Sequence, residues 1–197
     1  MAAVCAFGQY KTEAAGAPPA EAATAVRDAL QKEGIRVSGP AGPVCEIWLR
    51  TSAPSGKNSE QNASFSDLPA GAMLGVIRFP AKAADRRGQA IAAGVYTLRL
   101  AFYPVDGAHQ GISPTRDFLL LSPAATDTDL NATPDFQHVV DMSRKAAGTH
   151  HPAVLNAWKP DSAGAAPEIK HEGEDWVLYT KIGDRPIAII VVGVFQG

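Results

Sequence analysis

Between residues 94 and 121 the chain reads GVYTLRLAFYPVDGAHQGISPTRDFLLL, two strand-like runs joined by a loop bearing Gly and Pro. Tyr96, Leu98, Leu100 and Phe102 alternate with Val95, Thr97, Arg99 and Ala101. A period of two means that the first set faces a core and the second a wetter side. The returning run, Phe118 to Leu121, is apolar throughout, as in a strand covered on both faces. An isolated hairpin is barely stable in water, so this one demands partner strands. His109 sits in the joining loop, where binding residues on β scaffolds concentrate.

The partners are visible. IRVS and PVCEIWLR flank the turn sequence Gly39-Pro40-Ala41-Gly42, which predicts a hairpin over about residues 35 to 50. AMLGVIRF at 72 to 79 reads as another strand, and EDWVLYTKIGDRPIAIIVVGVF as a final hairpin around Gly183-Asp184. Residues 21 to 33 carry Ala22, Ala25, Val26, Ala29 and Leu30 at helical spacing with Gly34 as the C-cap. A second helix follows Thr133-Pro134, with Thr133 as N-cap and Gly148 past its end. Short strands without a βα rhythm predict a mainly β protein, an antiparallel β-sandwich of jelly-roll or immunoglobulin-like type with one or two short helices.

With 197 residues the chain suffices for one well-buried core. A net charge of -2 leaves no excess of cations to neutralise phosphates, so nucleic acid is not an expected partner. No apolar run reaches the ~18 to 20 residues that a membrane-spanning helix needs. Near the start, Val4-Cys5-Ala6 resembles the end of a signal peptide cleaved before Phe7. The expected organisation is therefore a signal-peptide remnant and flexible segment over residues 1 to 20, then a single sandwich domain over 21 to 197. Its expected location is the periplasm or the extracellular space. Cleavage there would remove Cys5 and leave Cys45 alone, read as a small buried apolar residue.

Three constellations could carry chemistry. His109, His138, His150 and His151 are candidate zinc or copper ligands, although their spacing matches no specific metal motif. In DTDLNATPD, Asp127, Asp129, Asn131, Thr133 and Asp135 fall at every second position, as oxygen ligands do in a calcium loop. Ala132 and His138 stand where an EF-hand requires Gly and Glu, so only a looser calcium site is conceivable. Finally, Arg116 and Asp117 form a candidate ion pair at the mouth of the returning strand, with Arg116 able to orient a ligand carboxylate. Asp117, His109, His150 and His151 join it as candidate ligand-binding residues. No GxSxG elbow, SxxK or Cys–His pattern is present, so no catalytic residue is named. Trp48, Trp158 and Trp176 suit a core better than a sugar platform.

IAAGVYTLRL, GAHQGISPTRDFLLLSPA and SRKAAGTHHPAVL together resemble a family of small exported bacterial β-rich proteins of unknown function, over about residues 70 to 195. The resemblance implies export and a β-sandwich, and no activity. The expected function is ligand or partner binding through loops at one end. The alternatives are a metal-dependent enzyme or metal carrier, with a divalent ion as cofactor, and a structural subunit associating through the Ile187 to Phe195 region as an exposed edge strand.

Overall fold

The computed structural model describes residues 9–104 and 116–193. His109, Cys5 and the expected cleavage point lie outside them. The elements follow as β1 (Lys11–Gly16), α1 (Thr24–Ala29), β2 (Gly34–Gly39), β3 (Gly42–Leu49), β4 (Met73–Phe79), β5 (Ala83–Ala84), β6 (Ala90–Ile91) and β7 (Gly94–Phe102). After them come β8 (Asp117–Pro123), α2 (Phe136–Ala147), β9 (Val154–Trp158), β10 (Glu168–Glu172), β11 (Asp175–Ile182) and β12 (Arg185–Val192).

The mainly β class with two short helices is as expected. The division into two facing sheets is not what the pairing describes. One ten-stranded sheet runs β1-β2-β3-β4-β7-β8-β9-β12-β11-β10, with β5 and β6 as a separate ribbon. Its pairings are antiparallel. The sheet curls until its two edges approach, where Thr12 Oγ1 donates to the Pro167 carbonyl at 3.2 Å and Tyr10 packs on Trp176 at 4.6 Å between ring centroids. The result is nearly a barrel. Alternation in each strand explains it, since one face fills a common interior and the other is covered only in places.

The interior takes Cys45, Ile47 and Leu49 from β3, Leu98, Leu100 and Phe102 from β7, Leu119 and Leu121 from β8, and Ile187, Ile189 and Val191 from β12. Phe65 and Leu68, from the long connection between β3 and β4, plug it. Outside, α1 lays Val26 on Trp48, Met73 and Val76. Similarly, α2 lays Val139 and Val140 on Ala101, Phe118, Leu120 and Val154. A third exterior cluster joins Val177, Ala188 and Ile190.

Several local expectations change. Lys11–Gly16, expected within a flexible segment, is a strand paired with β2. The first helix is shorter than its apolar period suggests, ending at Ala29 with an extended Leu30 that bridges to Arg50. Gly34 opens β2 rather than capping α1, and a Cβ there would strike the Trp48 indole. Asp135, not Thr133, caps α2, accepting from the His138 N–H at 2.9 Å. Gly148 does end that helix in the left-handed region, with φ of 64°. The Ile187 to Val192 run is not an edge. As part of β12 it lies between β9 and β11, where both its backbone rows are paired. The edges are instead β1 and β10, which carry Lys11, Glu13, Glu168, Lys170 and Glu172. Charge on an edge strand discourages pairing with other chains.

Candidate functional site

Arg99 was expected on the wetter face of β7, yet it is only 1% exposed. The segment after β8 folds over it. Its Nε and Nη2 meet the two Asp127 carboxylate oxygens at 2.7 Å each, and Thr97 Oγ1 adds a 2.5 Å bond to Asp127 Oδ2. The remaining guanidinium hydrogens reach the carbonyls of Gly71, Ala132 and Asp129 at 2.7 to 2.8 Å. All five donors of the fork are satisfied. Thus the alternating acidic loop does gather oxygens around a cation, and that cation is a side chain. Its other members have separate tasks: Asp129 Oδ1 accepts from the N–H groups of Asn131 and Ala132, and Asp135 caps α2.

Arg116 and Asp117 are not ion-paired with each other. Alternation along a strand sends neighbouring side chains to opposite faces. Asp117, fully buried, accepts from the backbone N–H groups of Ser64 and Phe65 at 2.8 Å each and so anchors the plug. Arg116 turns outward to the rim of a cavity. There it donates to the Tyr103 carbonyl through Nε and Nη2, to the Gln61 carbonyl through Nη1 and to Glu60 Oε2 through Nη2.

That cavity, about 480 Å³, lies between β7, the start of α2 and the connections around residues 60 and 70. Leu100, Ala101, Phe102, Phe136 and Val139 give it an apolar lining, while Glu60, Arg116 and Asp135 supply polar groups. Phe136 is 44% exposed, the one large apolar side chain so placed among the described residues. It borders a concave, largely apolar space, the setting of small-molecule sites. Gly71 shapes the wall: its φ is 77°, and a Cβ there would collide with the Pro134 carbonyl oxygen.

The histidines are dispersed. His138 lines a second, more polar cavity of about 360 Å³ with Asp129, Met142 and Lys145. His150 and His151 lie beyond the far end of α2, exposed, with their carbonyls accepting from Arg144 and Gln89. Arg116 bonds to neither of them, its partners among the described residues being Tyr103, Gln61 and Glu60. Among the described residues, no group of three or more His, Cys, Asp or Glu side chains could hold a metal ion. Convergence on His109 falls outside the described residues. His171 is exposed on β10, stacked on Trp176 at 4.6 Å.

Cys45 and Asp85 are among the titratable groups that burial perturbs. Burial pushes the Cys45 thiol up to about 12, which keeps it protonated and inert. Burial also raises the Asp85 carboxyl, partly offset by bonds from the Gln89 and Arg87 N–H groups. Asp85 Oδ2 is buried without a hydrogen-bond partner among the described residues.

Of the cavity groups, Arg116 was legible and Glu60 was not. Glu60 belongs to a polar connection whose residues look solvated, and only the long-range contact to β8 gives it a place. Among the described residues no helix is long and apolar enough to cross a membrane. No family model matches the chain, and neither the curated proteins nor the solved structures contain a match to it.

Proposed function

We propose that the protein is a non-enzymatic binding module that holds a small amphipathic molecule in the cavity beside Arg116. One observation carries the reading: a concave, largely apolar space of about 480 Å³ with a few polar groups at one side. Such dimensions and linings are those of small-molecule sites, which span roughly 300–1,000 Å³. The apolar body of the ligand packs on the exposed Phe136 and on the wall that Ala101 and Val139 close.

Calorimetric titration with 4-phenylbutan-1-ol tests this. Saturable binding is expected, and Ala70→Trp, which fills the space from an exposed position on the cavity wall, should abolish it while the melting temperature is retained. Equal binding by the variant would move the site elsewhere. Export belongs to the same reading, supported by the Val4-Cys5-Ala6 spacing and by the resemblance of residues 70 to 195 to exported β-rich proteins. Protein recovered from its own cells should begin at Phe7 by mass spectrometry; a chain that keeps residues 1 to 6 removes this part of the proposal.

A further inference from the structure

We infer that the ligand is a monocarboxylate, and that Glu60 is an internal competitor for the guanidinium edge that receives it; the inference rests on the binding reading above. Three of the bonds to Arg116 come from main-chain carbonyls, those of Tyr103 and Gln61, at 2.6 to 2.8 Å. Carbonyls fix a guanidinium in place without neutralising it. Among the described residues its charge is answered by one carboxylate, Glu60, at 2.9 Å through a single oxygen. Those residues take four of the five N–H groups and leave one on Nη1.

The Nη1–Nη2 edge of arginine matches the two oxygens of a carboxylate, and bidentate pairing is stronger than the one-oxygen contact Glu60 makes. Glu60 is 39% exposed on a connection without strands, so its carboxylate can turn to water when displaced. The first turn of α2 adds positive partial charge at the same wall, since Asp135 and Phe136 both line the cavity. Asp135 opposes this with its own charge, but its Oδ1 is committed to the His138 N–H. The apolar lining then receives the body of the acid.

The test compares three probes of one shape on the full chain by calorimetry: 4-phenylbutyrate, 4-phenylbutan-1-ol and 4-phenylbutylamine. The acid is expected to bind roughly five times more tightly than the alcohol, as a charge-assisted pair allows. Glu60→Gln should tighten the acid by about threefold and leave the alcohol within twofold, because only the acid competes with Glu60. Arg116→Lys, which keeps the charge and loses the fork, should weaken the acid by about tenfold. If the alcohol binds but the acid gains nothing over it, or the amine is preferred, or Glu60→Gln leaves the acid unchanged, the carboxylate inference is overturned and the cavity reading survives. If none of the three binds, both fall. Should a variant lose its fold, sodium chloride titration of the unmodified protein decides instead: affinity for the acid must fall with salt while that for the alcohol holds, and parallel behaviour overturns the inference.

Discussion

Arg99 sends hydrogen bonds to Asp127 and to three carbonyls at once, so removing either charge leaves different damage. Asp127→Asn strands a buried cation, and unfolding in urea should show a loss of about 3–5 kcal/mol, the usual cost of breaking a buried pair. An apolar double replacement, Arg99→Met with Asp127→Leu, often restores stability in simple pairs. Here it should not, because the carbonyls of Gly71, Asp129 and Ala132 would lose their donor, at about 1–3 kcal/mol for each one left buried and unpaired. Full recovery in the double variant would contradict the network. The same network predicts that millimolar calcium leaves the melting temperature within about 1 °C, since an ion that gains no site in the native state adds no stability. Asp85 behaves in the opposite sense to a paired carboxylate. Its folded pKa lies above the unfolded value, so its contribution to stability is whole in acid and is lost as the pH rises through the folded pKa. Asp85→Asn should therefore stabilise the protein at pH 7 relative to its effect in acid, a difference that vanishes as the pH drops below the ordinary carboxylate range. A variant equally affected at both pH values would remove the raised pKa.

The helices and strands differ in how openly their causes are written. Alternation marked β7, the turn Gly39-Pro40-Ala41-Gly42 marked β2 and β3, and apolar or β-branched runs marked β4, β11 and β12. β1, β9 and β10 were not so marked. β1 and β10 are edges with little to bury, so no apolar pattern marks them, and β9 is short. Arg99 misled for a related reason: alternation says which face a residue takes, but not whether a later loop will cover that face. The site suffered most. Arg116 could be nominated from its loop, whereas Glu60 reaches it across more than fifty residues of chain. At α2, the cap is local and measurable. Asp135→Ala should cost about 1 kcal/mol by loss of the bond to the His138 N–H. Because Asp135 and Phe136 also line the cavity, the variant should disturb ligand binding beyond what the lost stability explains.

The whole sheet is a strip rolled until β1 meets β10, and the meeting is thin: one side-chain bond and one aromatic contact are its named links. Native-state hydrogen exchange should find β1 and β10 opening well before β7, β8 and β12, whose neighbours flank them on both sides. Uniform protection around the sheet would mean a closed barrel. The placement of β12 also bears on how the chain is made. Strands up to β9 each follow a partner already present, apart from the β5–β6 ribbon, so the sheet can grow as synthesis proceeds. The last three described strands reverse that order, because β9 waits for β12, which is made after β10 and β11. Until then β9 keeps an open flank, and β10 and β11 pair only with each other. A chain cut short before Arg185 is therefore not a slightly smaller protein; it lacks the piece that ties its two halves into one object.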